Sequence, residues 1–204
     1  MFRTLSLLLL LAASAAAQAT RPAKPISPAP DLGSYDDANH LYRNRTFGFS
    51  CKVPYGWVDR TKTMSDSDSG PAQGFVLLAA FERPPEARGD DVNSTLVIAA
   101  EPVASYPGLK TATDYFTPLN EVITGKGFKV VNQPHGFTVG ARELVRGDYS
   151  REDGAVTLHQ TTLALLARGY VVSFTFIAGG QDEVEQLLGN LNFFAGKKGT
   201  AKPQ

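Results

Sequence analysis

The stretch TFGFSCKVPYGW, residues 46–57, constrains the fold more than any other part of the chain. Its apolar residues Phe47, Phe49, Cys51 and Val53 recur at every second position, with small or polar residues between them. This alternation predicts a strand with one buried face. A Pro-Tyr-Gly turn and the chain's single tryptophan follow, and we expect the tryptophan to close one end of the core.

The composition fits one soluble globular domain with tails: 204 residues, 43% hydrophobic and 20% charged. The 20 basic and 20 acidic residues cancel, which argues against a general attraction to nucleic acid or anionic lipid. We therefore expect no nucleic-acid partner. The single cysteine excludes a disulfide within the chain. Its position on the apolar face of the first strand predicts a buried, unreactive thiol.

Residues 1–19 have the features of a secretory signal peptide. Arg3 supplies a positive charge, residues 5–17 are almost continuously apolar, and Ala17-Gln18-Ala19 fits a cleavage site. The apolar run is shorter than the about 20 residues of a membrane span, although an uncleaved anchor is the alternative interpretation. We expect a mature chain that has no membrane span and is periplasmic or secreted.

The remaining chain divides into three parts. Residues 20–41 are a proline-rich leader, residues 42–196 are the expected folded domain, and residues 197–204 are a loose tail. Residues 34–42 predict one short helical turn, because Ser34 can cap it and two aspartates follow.

The first half of the domain predicts strands and one helix. Residues 61–73 are polar and predict a loop, whereas the apolar runs at residues 75–81 and 96–100 predict central strands covered on both faces. Residues 113–124 have apolar side chains at helical spacing, and Pro118 inside this segment requires a kink or a later start.

The second half predicts four strands. Residues 128–132 form a short strand that ends before Pro134, and residues 141–150 and 155–167 form a hairpin across an Asp-Gly turn. Residues 170–177 follow after an Arg-Gly turn.

A final helix is predicted from Asp182, which fits an N-cap, to residue 194, with Gly196 after its end. Its apolar stripe consists of Val184, Leu187, Leu188, Leu191 and Phe194. With six or seven strands and mostly short connections, the chain is predicted to be an α+β protein. Its mainly antiparallel sheet would be covered by two amphipathic helices.

The domain resembles the PsbP-like superfamily, which includes bacterial DcrB-like proteins. The resemblance rests first on the pattern Tyr42, Phe47-Gly48-Phe49, Val53-Pro54 and Gly56-Trp57. It continues with Gly140 near the start of a later strand, and with the strand at residues 170–177 leading directly into the last helix. It covers about residues 42–194.

This resemblance implies an α/β/α sandwich around an antiparallel sheet. Members of the superfamily serve as photosystem extrinsic subunits, envelope proteins or import-factor binders, mostly without catalysis. The photosystem role is not carried over, because nothing in the sequence indicates a photosynthetic context.

Motifs for catalysis are absent from the sequence: it has no G-x-S-x-G, H-E-x-x-H, Walker, paired C-x-x-C or dinucleotide-binding pattern. The three histidines lie on different segments. We interpret His135 as a solvated turn residue and His159 as a hydrogen-bonded structural residue of a strand. We therefore expect no enzymatic activity and assign no catalytic residue.

The acidic run Asp66-Ser67-Asp68-Ser69-Gly70 does not complete a calcium loop, because Pro71 and Leu77 occupy positions that require glycine and glutamate. We assign no metal ligand and no cofactor, and cofactor-binding residues remain unassigned.

Two kinds of short motif also occur. Arg-Gly-Asp is found at residues 88–90 and 146–148, of which only the first is predicted to lie in an exposed loop. Asn44 and Asn93 fit glycosylation acceptors, which matters only in a eukaryotic secretory pathway.

The sequence therefore predicts an exported, non-enzymatic binding or structural module of the bacterial envelope, with a protein or envelope component as its partner. The alternative is a protein that binds a small molecule or metal, or a hydrolase without a recognisable motif.

Overall fold

The computed structural model describes residues 31–67, 74–87 and 89–194. The side chains of residues 66 and 67 are not described. The elements in chain order are β1 (Ser34–Asp36), β2 (Leu41–Asn44), β3 (Phe49–Lys52), β4 (Val58–Asp59), α1 (Thr61–Ser67), β5 (Phe75–Phe81), β6 (Thr95–Pro102), a 3-10 helix (Val103–Ser105), α2 (Phe116–Gly125), β7 (Lys129–Val139), β8 (Arg142–Asp153), β9 (Val156–Ala167), β10 (Tyr170–Ala178), α3 (Gln181–Leu188) and β11 (Leu191–Phe193).

A seven-stranded antiparallel sheet forms the centre of the molecule, in the order β4-β5-β6-β10-β9-β8-β7. Strand β10 lies between β6 and β9, where Phe174 pairs with Ile98 on one side and Leu163 on the other. All three of these side chains are fully buried. The α+β class, the antiparallel sheet and the Asp-Gly hairpin between β8 and β9 are confirmed.

A second sheet of four antiparallel strands has the order β1-β2-β3-β11. The four side chains of the predicted apolar face, Phe47, Phe49, Cys51 and Val53, are buried as expected. Ser50 between them is buried as well, so the predicted polar face is only partly open. The strand itself is shorter than the predicted stretch and covers only Phe49–Lys52.

The second sheet and α3 cover one face of the large sheet. The Phe49 ring meets the Phe174 ring edge to face, with 4.9 Å between centroids, and Val184 of α3 is fully buried in the same cluster. The opposite face is covered by α2 and the segment before it. There Phe116 packs on Ala164 and Val171. The layers therefore form a sandwich, as the resemblance implied.

The predicted C-terminal helix is wrong in its extent and its cap. Helix α3 begins at Gln181 after Gly180 as N-cap, and no side chain caps it. It ends at Leu188, after which Leu191 enters β11 and pairs with Cys51. The apolar residues fit helical spacing, but the turn at residues 189–190 converts the last of them into a strand that completes the small sheet.

Two predictions for the first part of the domain are also wrong. The helical turn at residues 34–42 is absent: Ser34–Asp36 forms β1, because Tyr35 pairs with Tyr42 of β2. These strands begin before residue 42. The expected loop after residue 60 starts as helix α1, whose first turn is held by Asp59 Oδ1, which accepts hydrogen bonds from the backbone N and Oγ1 of Thr61 at 2.7 and 2.6 Å.

Proline has different effects at two positions. Pro118 lies in the first turn of α2, so the helix starts later than residue 113, one of the two predicted outcomes. Pro134 was expected to follow a short strand, but β7 continues through it to Val139. An edge strand tolerates a missing N–H, and the pairing with β8 shifts register on either side of Asn132.

The predicted signal peptide, residues 20–30 of the predicted proline-rich leader, Gly196 and the predicted C-terminal tail lie outside the described residues. Within the described ranges, no helix has the length and apolar character needed to cross a bilayer.

Candidate functional site

A buried ion network lies between β8 and α3. Arg146 Nε donates a hydrogen bond of 2.8 Å to Asp148 Oδ1, which also accepts one of 2.6 Å from Thr161 Oγ1. The second carboxylate oxygen of Asp148 accepts a hydrogen bond of 3.1 Å from Asn132 Nδ2. Arg146 is 8% exposed and Asp148 3%. These charges are therefore held almost without water.

Helix α3 is tied to this network by Glu185, whose two carboxylate oxygens accept hydrogen bonds from Arg146 Nη1, at 3.2 Å, and Nη2. The guanidinium carbon also lies 5.1 Å from the ring centroid of Phe137. The hydrogen bond from Arg146 lowers the pKa of Glu185 more than its burial raises it. Because each charge has a partner within the protein, the network acts as a structural clamp for α3.

On the opposite face, Glu101 accepts hydrogen bonds from two tyrosine hydroxyls, at 2.8 Å from Tyr106 and 2.6 Å from Tyr115. Burial, together with the neighbouring carboxylate, raises the pKa of both phenols, so both stay protonated as donors. This cluster fixes the segment before α2 onto the sheet.

A concave surface with different chemistry lies at one end of the small sheet. Three turns meet there: β1 to β2, β3 to β4, and α3 to β11. They enclose a cleft of about 520 Å³, which we call the turn cleft. It is lined by Ala38, Asn39, His40, Lys52, Val53, Pro54, Tyr55 and Asn190.

Backbone hydrogen bonds hold the three turns together. His40 O accepts a bond of 2.8 Å from Val53 N, and Asn190 O accepts one of 3.1 Å from Lys52 N. His40 has φ +49°, a left-handed conformation that is uncommon for residues other than glycine and clusters at functional positions.

Tyr55 stands at the rim of the turn cleft with 89% of its surface exposed. Gly56 beside it has φ +84° and Trp57 N donates a hydrogen bond to Pro54 O at 3.4 Å, as in a type II turn that places Tyr55 at its tip. The Tyr55 ring meets the His40 imidazole edge to face, with 5.3 Å between centroids. The aromatic surface is thus held in place and left open to solvent.

Two further clefts between described residues offer less. A cleft of about 510 Å³ on the β7–β8 hairpin contains Arg142 beside Glu143, which offset each other's charge. A smaller one of about 380 Å³ lies between β1 and α1 and contains Asp59 beside Lys62. Neither is lined by an aromatic side chain as exposed as Tyr55.

The histidines lie apart. His135 is exposed but belongs to β7, with Nδ1 2.9 Å from Gln133 O, so the predicted turn is wrong. His159 is half-buried in β9, and the expected hydrogen bond of its ring is absent among the described residues. Only His40 lies in the turn cleft. Within the described ranges, His, Cys, Asp and Glu side chains form no group of three that could hold a metal.

Cys51 is fully buried, and burial raises the pKa of its thiol to about 12, which agrees with the predicted inert thiol. The second Arg-Gly-Asp triplet is the centre of the buried network and is not an exposed motif. Residue 88 of the first triplet lies outside the described residues.

The side chains of both glycosylation acceptors are engaged in hydrogen bonds within the fold. Asn44 is fully buried, its amide group donates to Asp31 O at 2.9 Å and its Oδ1 accepts from Phe47 N at 2.9 Å. The Asn93 side chain exchanges two hydrogen bonds of 3.0 Å with the backbone of Arg83.

The two sheets, the covering helices and the order of strands define an α+β sandwich with the PsbP-like fold. The resemblance drawn from the sequence is confirmed at this level. The chain is similar to the solution structure of cyanobacterial PsbP (CyanoP) from Synechocystis sp. PCC 6803, with a TM-score of 0.50 and 17% sequence identity. That match covers 80% of this chain and 99% of the other.

Two further solved structures match with lower TM-scores. A protein of unknown function, PA94 from Pseudomonas aeruginosa, described as a putative regulator, has a TM-score of 0.39 and 16% identity over 80% of this chain and 96% of that chain. LpqN, involved in cell envelope biogenesis of Mycobacterium tuberculosis, has a TM-score of 0.34 and 13% identity over 72% and 83%. The chain matches no protein-family model and no curated protein sequence.

Proposed function

We propose that this chain is an exported, non-enzymatic binding module of the bacterial envelope, and that it docks a partner protein through the turn cleft. The observation that carries the proposal is Tyr55, which is 89% exposed at the rim of a concave surface built by three turns. Tyrosine is enriched at protein interfaces because it offers a large apolar ring with few rotatable bonds and a polar tip.

The position of Tyr55 favours a role in binding a partner over a role in packing the core. The Phe and Tyr residues of the core are buried between the sheets, whereas Tyr55 contributes little to that core. Surface loops on a rigid scaffold are common sites of recognition, and here the scaffold is the small sheet. The turns are already held by hydrogen bonds, so a partner would pay little to order them.

The exported location rests on Arg3, the apolar run and the Ala-x-Ala site of the sequence. The proposal of a non-enzymatic role is supported by the sequence, which has no G-x-S-x-G, H-E-x-x-H, Walker, paired C-x-x-C or dinucleotide-binding pattern. The PsbP-like resemblance supports both parts of the proposal, since members of that superfamily are mostly non-catalytic and several are envelope proteins.

Affinity capture from envelope extracts of the native organism tests the proposal. Full-length wild type should capture one dominant companion, which Tyr55→Ala should lose. A matched control is Val122→Ala, because Val122 is 56% exposed on α2, at the opposite face of the molecule. The identified companion should then be purified and titrated. A hot-spot tyrosine predicts that Tyr55→Ala weakens Kd by about thirtyfold, while Val122→Ala leaves it unchanged.

The melting temperature of Tyr55→Ala should equal that of wild type, because the ring is almost fully solvated. Equal capture by wild type and Tyr55→Ala, or equal loss in both variants, would contradict docking through the turn cleft. A companion that binds the Val122 face would place the interface on α2 instead.

A further inference from the structure

We infer that the outer edge of strand β7, at residues 135–139, takes up an extended, uncharged segment of a partner protein and places one apolar side chain of that segment beside Gly136. The segment would add one more strand to the large sheet. The inference goes beyond the proposed function, because this edge shares no residue with the turn cleft.

Strand β7 is the last strand of the large sheet, so only one of its two edges is paired. Every second residue of such an edge strand directs its N–H and C=O groups outward. Among the described residues, no group forms a hydrogen bond with the outer edge of residues 135–139. Outward donors and acceptors that alternate at this spacing are matched by the backbone of another extended chain.

The two halves of β7 differ in how well they hinder the addition of a strand. Residues 129–134 contain Lys129, two shifts of register against β8, and Pro134, which has no N–H. Residues 135–139 contain no lysine and no proline, and they pair with residues 142–146 of β8 without a shift. The second half of the edge is therefore regular and unprotected.

A cleft borders this half of the edge and provides a preference for one kind of side chain. It is the cleft of about 510 Å³ on the β7–β8 hairpin, which we call the hairpin cleft. Gly136 pairs with Val145, and both line the hairpin cleft together with Leu166. A Cβ added at Gly136 would meet no described heavy atom within 4 Å. The side chain opposite Gly136 in an added strand would enter this open space and cover Val145 and Leu166, which are half-buried.

The charges around the site favour an uncharged segment. Residues 135–139 have no acidic side chain, and His135 is the only basic one among them. The lining of the hairpin cleft contains one arginine and one glutamate, whose charges offset each other. A charged side chain on Val145 and Leu166 would lose water without a compensating contact there, whereas a leucine would bury apolar surface.

A second copy of this chain fits the site less well than a partner segment. Antiparallel pairing of residues 135–139 with themselves would place the second copy's Thr138 opposite Gly136, and its small polar side chain would leave most of the space unfilled. Five residues a side are also far fewer than the about 20–30 of a stable protein interface. A single added strand instead obtains its affinity from backbone hydrogen bonds and a few side-chain pockets.

Titration of the full chain, labelled with nitrogen-15, with short capped peptides tests the inference. The probe alternates threonine and valine around one central leucine, and the reference peptide has serine in place of that leucine. The amide signals of residues 135–139 should shift with the probe, and the hydrogen exchange of their outward N–H groups should slow. The reference peptide should bind about tenfold more weakly, because it loses one buried apolar side chain.

Methylation of the probe's backbone tests for strand pairing. One version carries N-methyl groups on the leucine and valines, and the other carries them on the threonines. Alternate N–H groups of an added strand face β7, so one version should lose binding while the other retains it. Equal effects of the two methylations would overturn the inference, as would the absence of any shift at residues 135–139 with up to about 1 mM unmethylated probe.

Gly136→Val fills the space that the probe's leucine requires and should weaken binding of the probe by about tenfold. Its melting temperature should equal that of wild type, because valine suits a strand and the space at Gly136 is open. Gln133→Val is the matched control, since Gln133 is exposed on the protected half of β7, and it should bind the probe as wild type does. Equal binding by the two variants would overturn the inference, and the methylated probes decide alone if Gly136→Val does not fold.

Two further measurements identify another occupant or another site. Wild type without peptide should sediment as a monomer, and a dimer that Gly136→Val dissociates would make a second copy the occupant and overturn the inference. Tyr55→Ala should bind the probe as wild type does, and loss of binding in this variant would place the probe in the turn cleft instead. Capture of a companion through Tyr55 can fail while the probe still shifts residues 135–139, so the two proposals can be refuted separately.

Discussion

Replacing Arg146 with methionine tests whether the buried network holds α3 on the large sheet. The change keeps an unbranched side chain near Phe137 but leaves the buried Asp148 carboxylate without its cation. Removing one partner of a buried ion pair costs about 3–5 kcal/mol, whereas domains are stable by about 5–15 kcal/mol in total. We expect the free energy of unfolding at neutral pH to fall by about 3–5 kcal/mol, as measured by urea denaturation with Trp57 fluorescence.

The pH dependence of this loss has a defined sign. In wild type, burial raises the pKa of Asp148, but hydrogen bonds from Thr161, Arg146 and Asn132 outweigh burial and lower the pKa. A lowered pKa stabilises the fold above the unfolded value of about 3.9, and this stabilisation is lost as the pH falls through the folded-state value. In Arg146→Met the cation is missing, so burial dominates and raises the pKa of Asp148. Protonation of Asp148 then removes the buried charge and reduces the loss of stability. The difference in the free energy of unfolding between Arg146→Met and wild type should therefore become smaller as the pH falls from about 7 to about 4.5.

Two further variants make this test specific. Combining Arg146→Met with Asp148→Leu removes both buried charges, so the double variant should be more stable than Arg146→Met alone. Arg142→Met alters an exposed arginine at the start of the same strand and should change stability by less than about 0.5 kcal/mol. If Arg146→Met is as stable as Arg142→Met, or if the gap widens towards acid pH, the clamp interpretation is refuted.

Three further predictions concern packing. Trp57→Ala should lower the free energy of unfolding by less than the about 3–5 kcal/mol expected for a fully buried aromatic residue, because Trp57 is only partly buried against the main core. Thermal melting followed by circular dichroism measures this loss of stability. A chain that ends at Gly180 lacks α3 and β11 and should aggregate, as measured by light scattering. The four buried residues that it loses would each stabilise the fold by about 1.5–3 kcal/mol. A monomer that melts near the full-length temperature would contradict this. Gly147→Ala should lower stability by about 1–3 kcal/mol, because its Cβ would lie 2.7 Å from Phe116 Cε1; Gly136→Ala, with no described heavy atom within 4 Å of the added Cβ, should leave the urea midpoint unchanged.

Five strands of the large sheet, β5, β6, β8, β9 and β10, were predictable because their sequence signals are local. The run at residues 75–81 coincides with β5, and Gly154 and Gly169, with φ of +63° and +83°, occupy the turns that the sequence marks on either side of β9. Turn residues with positive φ identify strand ends without knowledge of the tertiary structure.

The small sheet was not predictable in full because its strands are short and its pairing is remote. Leu191 fits both a helical stripe and a strand that alternates with Phe193, and only the pairing with β3 decides between them. In the same way, Ser34 fits a helix cap until Tyr35 pairs with Tyr42.

Only part of the candidate site could be predicted from the sequence. A Pro-Tyr-Gly turn predicts an exposed residue at its tip, which could have marked Tyr55. The participation of Asn190 and His40 could not be inferred, because they reach the turn cleft only through the pairing of β3 with β2 and β11. The pairing of Arg146 with Glu185 could not be inferred either, because Glu185 lies on α3, far along the chain from β8.

The pairing of Cys51 with Leu191 also limits how fast the chain can reach its native state. Strand β3 lies early in the domain and its neighbour β11 lies at the end of the described chain, so their contact closes a loop that contains nearly all of the domain. Contacts between distant parts of a chain slow folding, because the entropy of loop closure is lost before the contact stabilises anything. The hairpins of β8, β9 and β10 join residues that are close in sequence and can form first. The turn cleft, which needs β2, β3 and β11 together, should be among the last parts of the molecule to form.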